Sequence, residues 1–270
     1  LAIPIIIFIL GLFVGSFLNV CIYRWPLDRS VIKPRSACTN CGTFLMPADL
    51  IPVLSYLACN GRCRYCKSPI SPRYALVELL TGITFVALYR SQGLTFELLS
   101  YAILFSLLII AFFTDIDYQI IPDQVSWGGM AIGILFDVAL LSAGYARPTV
   151  DLPFFTNGIS VPGSIFGAVT CFALFWMIAA GASVLFKAEA LGGGDIKLAG
   201  AVGAFLGWKL ALLSFVLAFL LGAAGGIILL VSKLKTRREY IPFGPFMVIG
   251  AVTAVFVGTP ILVWYLNFYF

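Results

Sequence analysis

The chain has 270 residues, of which 61% are hydrophobic and 11% charged, and its mean hydropathy is +1.04. A soluble domain is about a quarter charged, so this composition excludes one and fits an all-α polytopic membrane protein with apolar residues facing lipid. Net charge is +5 and there is no histidine. That absence removes Ser-His-Asp and Cys-His nucleophile systems, two-histidine zinc proteases and histidine-held haem.

Residues 1–23 form one uncharged apolar run, about long enough to span a bilayer. The run lacks the basic flank and small-residue cleavage site of a signal peptide, so it is expected to be a retained helix. Residues 24–73 differ in kind: they hold eight Lys/Arg, two Asp, five Cys and several Pro and Gly, with no spanning stretch. Apolar stretches follow at 74–90, 98–114, 124–144, 161–186, 196–207, 210–232 and 244–268, predicting about eight transmembrane helices in all. The 24–73 segment becomes a small polar insert between helices 1 and 2, and residues 74–270 form a seven-helix core. With eight spans, 14 of the 17 basic residues fall on one side: those of the insert, Lys187, Lys197, Lys233, Lys235, Arg237 and Arg238. Only Arg90, Arg147 and Lys209 remain for the other. The positive-inside rule then places the insert in the cytoplasm. Gly129, Gly133, Gly222, Gly225 and Gly226 are expected to be packing glycines.

Cys38-Thr39-Asn40-Cys41 and Cys63-Arg64-Tyr65-Cys66 are two C-x-x-C knuckles with 21 residues between them. Four thiolates at this spacing suit a tetrahedral structural zinc. About fifty polar residues bury too little apolar surface to fold alone, so a metal staple is expected. Paired disulfides are the alternative, disfavoured in a reducing cytoplasm. Cys59 falls outside the pattern, and Cys21 and Cys171 read as small buried hydrophobes. Nucleic-acid binding is not expected, because no basic stripe alternates with aromatics.

Carboxylates within or at the ends of spans need a reason to be there. Asp195 follows three glycines in Leu191-Gly192-Gly193-Gly194-Asp195-Ile196-Lys197, where Gly192 and Gly194 allow close backbone approach and Lys197 can orient the carboxylate. A helix N-cap is the competing reading. Asp115, Asp117 and Asp123 cluster after the third span, and Asp123 reads as a cap on the next helix. Asp115 and Asp117 are two apart on a helix and face nearly opposite sides, so one of them is expected to meet Asp195. Two close carboxylates sharing a proton are the acid–base pair of aspartic proteolysis. A transporter using midplane aspartates, of which only Asp137 qualifies, and a membrane-bound zinc-ribbon scaffold are the rival classes.

Taken in order, these residues resemble the bacterial type IV prepilin peptidases. The resemblance rests on Gly15-Ser16-Phe17-Leu18-Asn19-Val20 with Tyr23-Arg24, the two C-x-x-C pairs, Ile70-Ser71-Pro72-Arg73-Tyr74 with Glu78, the Asp115–Asp123 segment and Gly192-x-Gly194-Asp195. It implies that Asp115, seven residues before Pro122, and Asp195 are the catalytic pair. It further implies cleavage of type IV prepilin or pseudopilin leaders at the cytoplasmic face of the inner membrane, then N-methylation of the new terminus with S-adenosylmethionine. Gly61 matches a family glycine linked to methyl transfer.

Overall fold

The computed structural model describes residues 2–151, 160–186, 191–232 and 242–269. Lys187, Lys233, Lys235, Arg237 and Arg238, on which much of the expected orientation rests, lie outside them. The long helices are α1 (Ala2–Arg24), α3 (Arg73–Gln92), α4 (Phe96–Tyr118), α5 (Asp123–Ser142), α6 (Gly163–Phe186), α7 (Gly193–Val231) and α8 (Gly244–Tyr269). A short α2 (Leu54–Ala58) lies in the insert. An antiparallel hairpin of β1 (Thr149–Asp151) and β2 (Ser160–Pro162), not foreseen from the sequence, precedes α6.

Among the described residues, six helices are long and apolar enough to cross a membrane: α1, α4, α5, α6, α7 and α8. The difference from eight has two causes. Helix α3 carries Arg73, Glu78 and Arg90, which lower its hydropathy. Helix α7 counts once although its 39 residues would extend for about 58 Å, twice the roughly 30 Å of a hydrocarbon core. Its helical path breaks at Gly207, which adopts φ 68° and ψ 168°, a conformation closed to most side chains. The contacts show what the break does. Along the first half of α7, rising residue numbers meet falling ones on α6: Gly200 faces Phe172 and Gly203 faces Gly167. Along the second half the two run the same way, with Trp208 against Phe166 and Phe215 and Phe219 against Phe175. The chain therefore reverses at Gly207, as the two separate spans expected at 196–207 and 210–232 require.

The molecule divides into two compact units, Leu1–Ile110 and Ala111–Phe270. In the first, α1 lies directly on α3. A Cβ on Gly11 would stand 2.7 Å from the Gly82 Cα, and one on Gly15 2.7 Å from the Glu78 Cα. The Asn19 amide closes this seam by donating to the Tyr74 carbonyl at 3.0 Å. Ile5, Ile6, Leu10, Phe13 and Phe17 on α1 are exposed, which suits a lipid-facing surface. In the second unit α5 runs parallel to the first half of α7, with Gly133 against Ala204 and Phe205. Helix α8 runs antiparallel to the second half: Gly258 meets Leu210 and Leu213, and Phe243 stacks on Phe219. Gly222 and Gly225 do face aromatic rings, whereas Gly226 faces open space. The first turns of α5, α7 and α8 consequently sit at one end of this unit, and Gly207 at the other.

Candidate active site and metal centre

Helix α4 ends where it does for local reasons. Gln119 turns left-handed at φ 54° and donates its N–H to the Asp115 carbonyl at 3.0 Å, and Pro122 disfavours helical backbone just before it. Asp115 is thereby held in the last turn, 3% exposed, while Asp117 points outward and is exposed. Asp195 lies in the first turn of α7 and is 4% exposed. The two carboxylates are close enough for the charge on Asp115 to act on Asp195. Gly194 packs on Ile121, a Cβ there meeting the isoleucine at 3.1 Å, so the bare backbone lets the α7 N-terminus approach the α4–α5 connection.

A third element completes the cluster, and no expectation from the sequence included it. The N–H of Gly244, in the first turn of α8, donates to Asp115 Oδ2 at 2.9 Å. First-turn N–H groups have no intrahelical acceptor, and the positive end of the helix dipole favours an anion there. A Cβ on Gly244 would lie 2.6 Å from that oxygen. The signal available in the sequence was Phe243-Gly244-Pro245 at the mouth of an apolar helix.

Two expected roles go elsewhere. Lys197 does not orient Asp195: its ammonium pairs with Asp123 Oδ1 at 2.7 Å and lies 5.9 Å from the Trp127 ring centre. Asp123 is the first residue of α5, one past the N-cap position, which Pro122 occupies; Lys197 pairs with its carboxylate. Asp137, the carboxylate deepest in a span, meets Arg147 Nε at 2.6 Å and accepts the Ser164 N–H at 3.4 Å. An ion-paired aspartate of this kind ties α5 to the segment before β1 and to the first turn of α6.

In the insert the four Sγ atoms of Cys38, Cys41, Cys63 and Cys66 all lie within 4.8 Å of one another, and Cys38 and Cys66 are 3.9 Å apart. A tetrahedral zinc–thiolate site has sulfur separations of about 3.8 Å, so the donors fit a metal. None of the seven cysteines is in a disulfide. The knuckles are built alike. The Cys38 N–H donates to the Thr43 carbonyl and the Gly42 N–H to the Cys38 carbonyl; the Cys63 N–H donates to Ser68 and the Lys67 N–H to Cys63. Gly42 at φ 72° and Lys67 at φ 59° occupy the same left-handed corner. The Ser68 hydroxyl and N–H, with Asn40, pull the Cys66 thiol down to about 6, and the Cys41 and Asn40 N–H groups lower Cys38. Thiolate is the ligating form.

Asp49, for which no sequence signal stood out, ties this insert together. It accepts from the Tyr65 hydroxyl at 2.9 Å and the Met46 N–H at 3.1 Å, and pairs with Arg64 at 2.9 Å. The Tyr65 phenol is raised by that bond. Gly61 stands behind Tyr56, at φ 66° with a Cβ 2.9 Å from the phenol oxygen.

The Bacterial Peptidase A24 N-terminal domain family matches residues 9–91, and the Type IV leader peptidase family matches residues 102–227. Curated relatives named prepilin leader peptidase/N-methyltransferase are similar over most of the chain. One from Aeromonas hydrophila is 32% identical, covering 97% of this chain and 93% of its own length. One from Bacillus subtilis (strain 168) is 33% identical and covers 97% of each. One from Myxococcus xanthus (strain DK1622) is 41% identical over 84% of this chain, which spans only 63% of that relative. No solved structure matches the chain. The chain belongs to the type IV leader peptidase family, as a multi-pass membrane protein.

Proposed function

We propose that this protein removes the leader peptide of type IV prepilins or pseudopilins by aspartyl chemistry with Asp115 and Asp195, and methylates the new N-terminus with S-adenosylmethionine. The observation that supports the cleavage reading is the burial of two carboxylates, in the last turn of α4 and the first turn of α7, near enough for one charge to act on the other. Two such groups hold one proton between them: one draws a proton from water while the other gives its proton to the scissile carbonyl. The amide of Gly244 orients Asp115 for this exchange. In a chain without histidine, this pair is the acid–base apparatus at hand. We place the active site and insert at the cytoplasmic face of the inner membrane, where the basic residues favour it. The insert holds zinc through Cys38, Cys41, Cys63 and Cys66 and serves methyl transfer, while the aspartates serve cleavage.

The test uses detergent-solubilised protein and a prepilin peptide, with mass spectrometry reading leader loss and methyl gain. Asp115→Asn and Asp195→Asn should each lower cleavage by about 10²–10⁴-fold, the scale of general acid–base catalysis. Asp117→Asn, on the exposed face, should stay near wild type. Asp195→Asn should still methylate a pre-cleaved peptide and Cys38→Ser should not. Wild-type cleavage rates in Asp195→Asn would refute the aspartyl mechanism.

A further inference from the structure

The leader-peptidase reading leaves one prominent feature of the first unit without a task. A cavity of about 240 Å³ opens between α1, α3 and the insert, close to the lower end of the size range of small-molecule sites. Glu78, Arg62 and four tyrosines, Tyr23, Tyr56, Tyr65 and Tyr74, are among the residues that line it. Glu78 is 8% exposed. A carboxylate so buried is costly unless something of opposite charge meets it. Its Oε2 accepts the Val53 N–H at 2.7 Å and it also bonds the Ser16 hydroxyl, which uses about half of its acceptor capacity. Val53 adopts φ 60° and ψ −48°. That conformation is an outlier for a β-branched residue, and such strain collects where the surroundings over-determine a functional geometry.

A buried carboxylate among aromatic faces is the recognition chemistry of a soft organic cation. We propose that this cavity binds S-adenosylmethionine, with Glu78 and the tyrosine rings receiving the sulfonium and Arg62 suiting the cofactor's carboxylate. This inference rests on the methyl-transfer half of the proposed function and gives that activity a place. When bound, the cofactor supplies a methyl group. The amine nitrogen's lone pair forms the N–C bond, the S–C pair stays on sulfur as a neutral thioether, and the methylated ammonium gives a proton to water. The ligand's positive charge at sulfur thus vanishes on reaction, and a cation site would hold the substrate form more tightly than the product form. Gly61 belongs to the same arrangement: a side chain there would displace the Tyr56 phenol from the wall.

The test measures binding directly, by equilibrium dialysis of radiolabelled S-adenosylmethionine and S-adenosylhomocysteine with the full zinc-loaded chain in detergent. Wild type should prefer the sulfonium form. Glu78→Gln, whose amide oxygen can still accept the Val53 N–H, should weaken the sulfonium form by about 10- to 30-fold. It should change the thioether by less than about twofold, because only the former carries the charge. Tyr23→Leu should lose part of the preference and Tyr23→Phe should restore it, since the ring and not the hydroxyl meets the cation. Zinc content measured alongside reports whether the insert is intact. If Glu78→Gln leaves the preference unchanged, or weakens both forms equally, the cavity assignment is wrong although methylation stands. If wild type binds neither form and methylates no pre-cleaved peptide, the methyl-transfer reading itself fails.

Discussion

Replacing Gly244 by alanine isolates the amide that orients Asp115. The added Cβ would meet Asp115 Oδ2 at 2.6 Å, Cγ at 3.1 Å and Cβ at 3.3 Å. A comfortable carbon–oxygen contact needs roughly 3.3 Å or more, so the carboxylate must give way by about 0.7 Å or rotate, and the 2.9 Å bond from the Gly244 N–H goes with it. A hydrogen bond to a charged acceptor contributes about 1.5–3 kcal/mol, and a misplacement near 1 Å costs about 10²-fold in a rate that depends on geometry. Gly244 is not at positive φ, so alanine introduces no backbone strain; crowding of the packed site should cost about 1–3 kcal/mol of stability. Cleavage kinetics on a prepilin peptide should therefore show kcat down about 10²-fold with KM little changed, in protein that elutes and melts as a folded species. Gly244→Ala cleaving within about threefold of wild type would show that Asp115 does not depend on this amide.

Elemental analysis should find about one zinc per chain, lost in Cys38→Ser or Cys66→Ser because a three-ligand site opens to water, and unchanged in Cys59→Ser; metal-free protein with an ordered insert would exclude the site. Gly42, whose Cβ would meet open space, needs glycine for its backbone alone, so Gly42→Ala should speed zinc loss to a chelator through a strain of about 1–2 kcal/mol. Lys67→Gly, at the equivalent corner of the second knuckle, should slow it or leave it unchanged, and faster loss from Lys67→Gly than from Gly42→Ala would mean that the two corners are not equivalent.

Much of this protein was legible because the signals are local. Long apolar runs specify spanning helices, since lipid leaves backbone groups no partner outside the helix, and two C-x-x-C pairs specify a four-sulfur cluster because each knuckle closes on its own hydrogen bonds. Helical periodicity said that Asp115 and Asp117 face opposite sides but not which of them is buried; the resemblance pointed to Asp115, and the structure buries Asp115 and exposes Asp117. What the sequence could not decide is who else arrives. Lys197 is two residues from Asp195 along the chain, but the parallel course of α5 and α7 carries it to Asp123. Gly244, 129 positions from Asp115, becomes its partner only because α7 reverses at Gly207 and brings the start of α8 back to the same end. Asp137 is discharged by an arginine ten residues on, and Glu78 faces a cavity that exists only once α1, α3 and the insert have packed. Spans and knuckles are properties of contiguous residues; charge partners and close backbone approaches depend on the direction in which each helix returns.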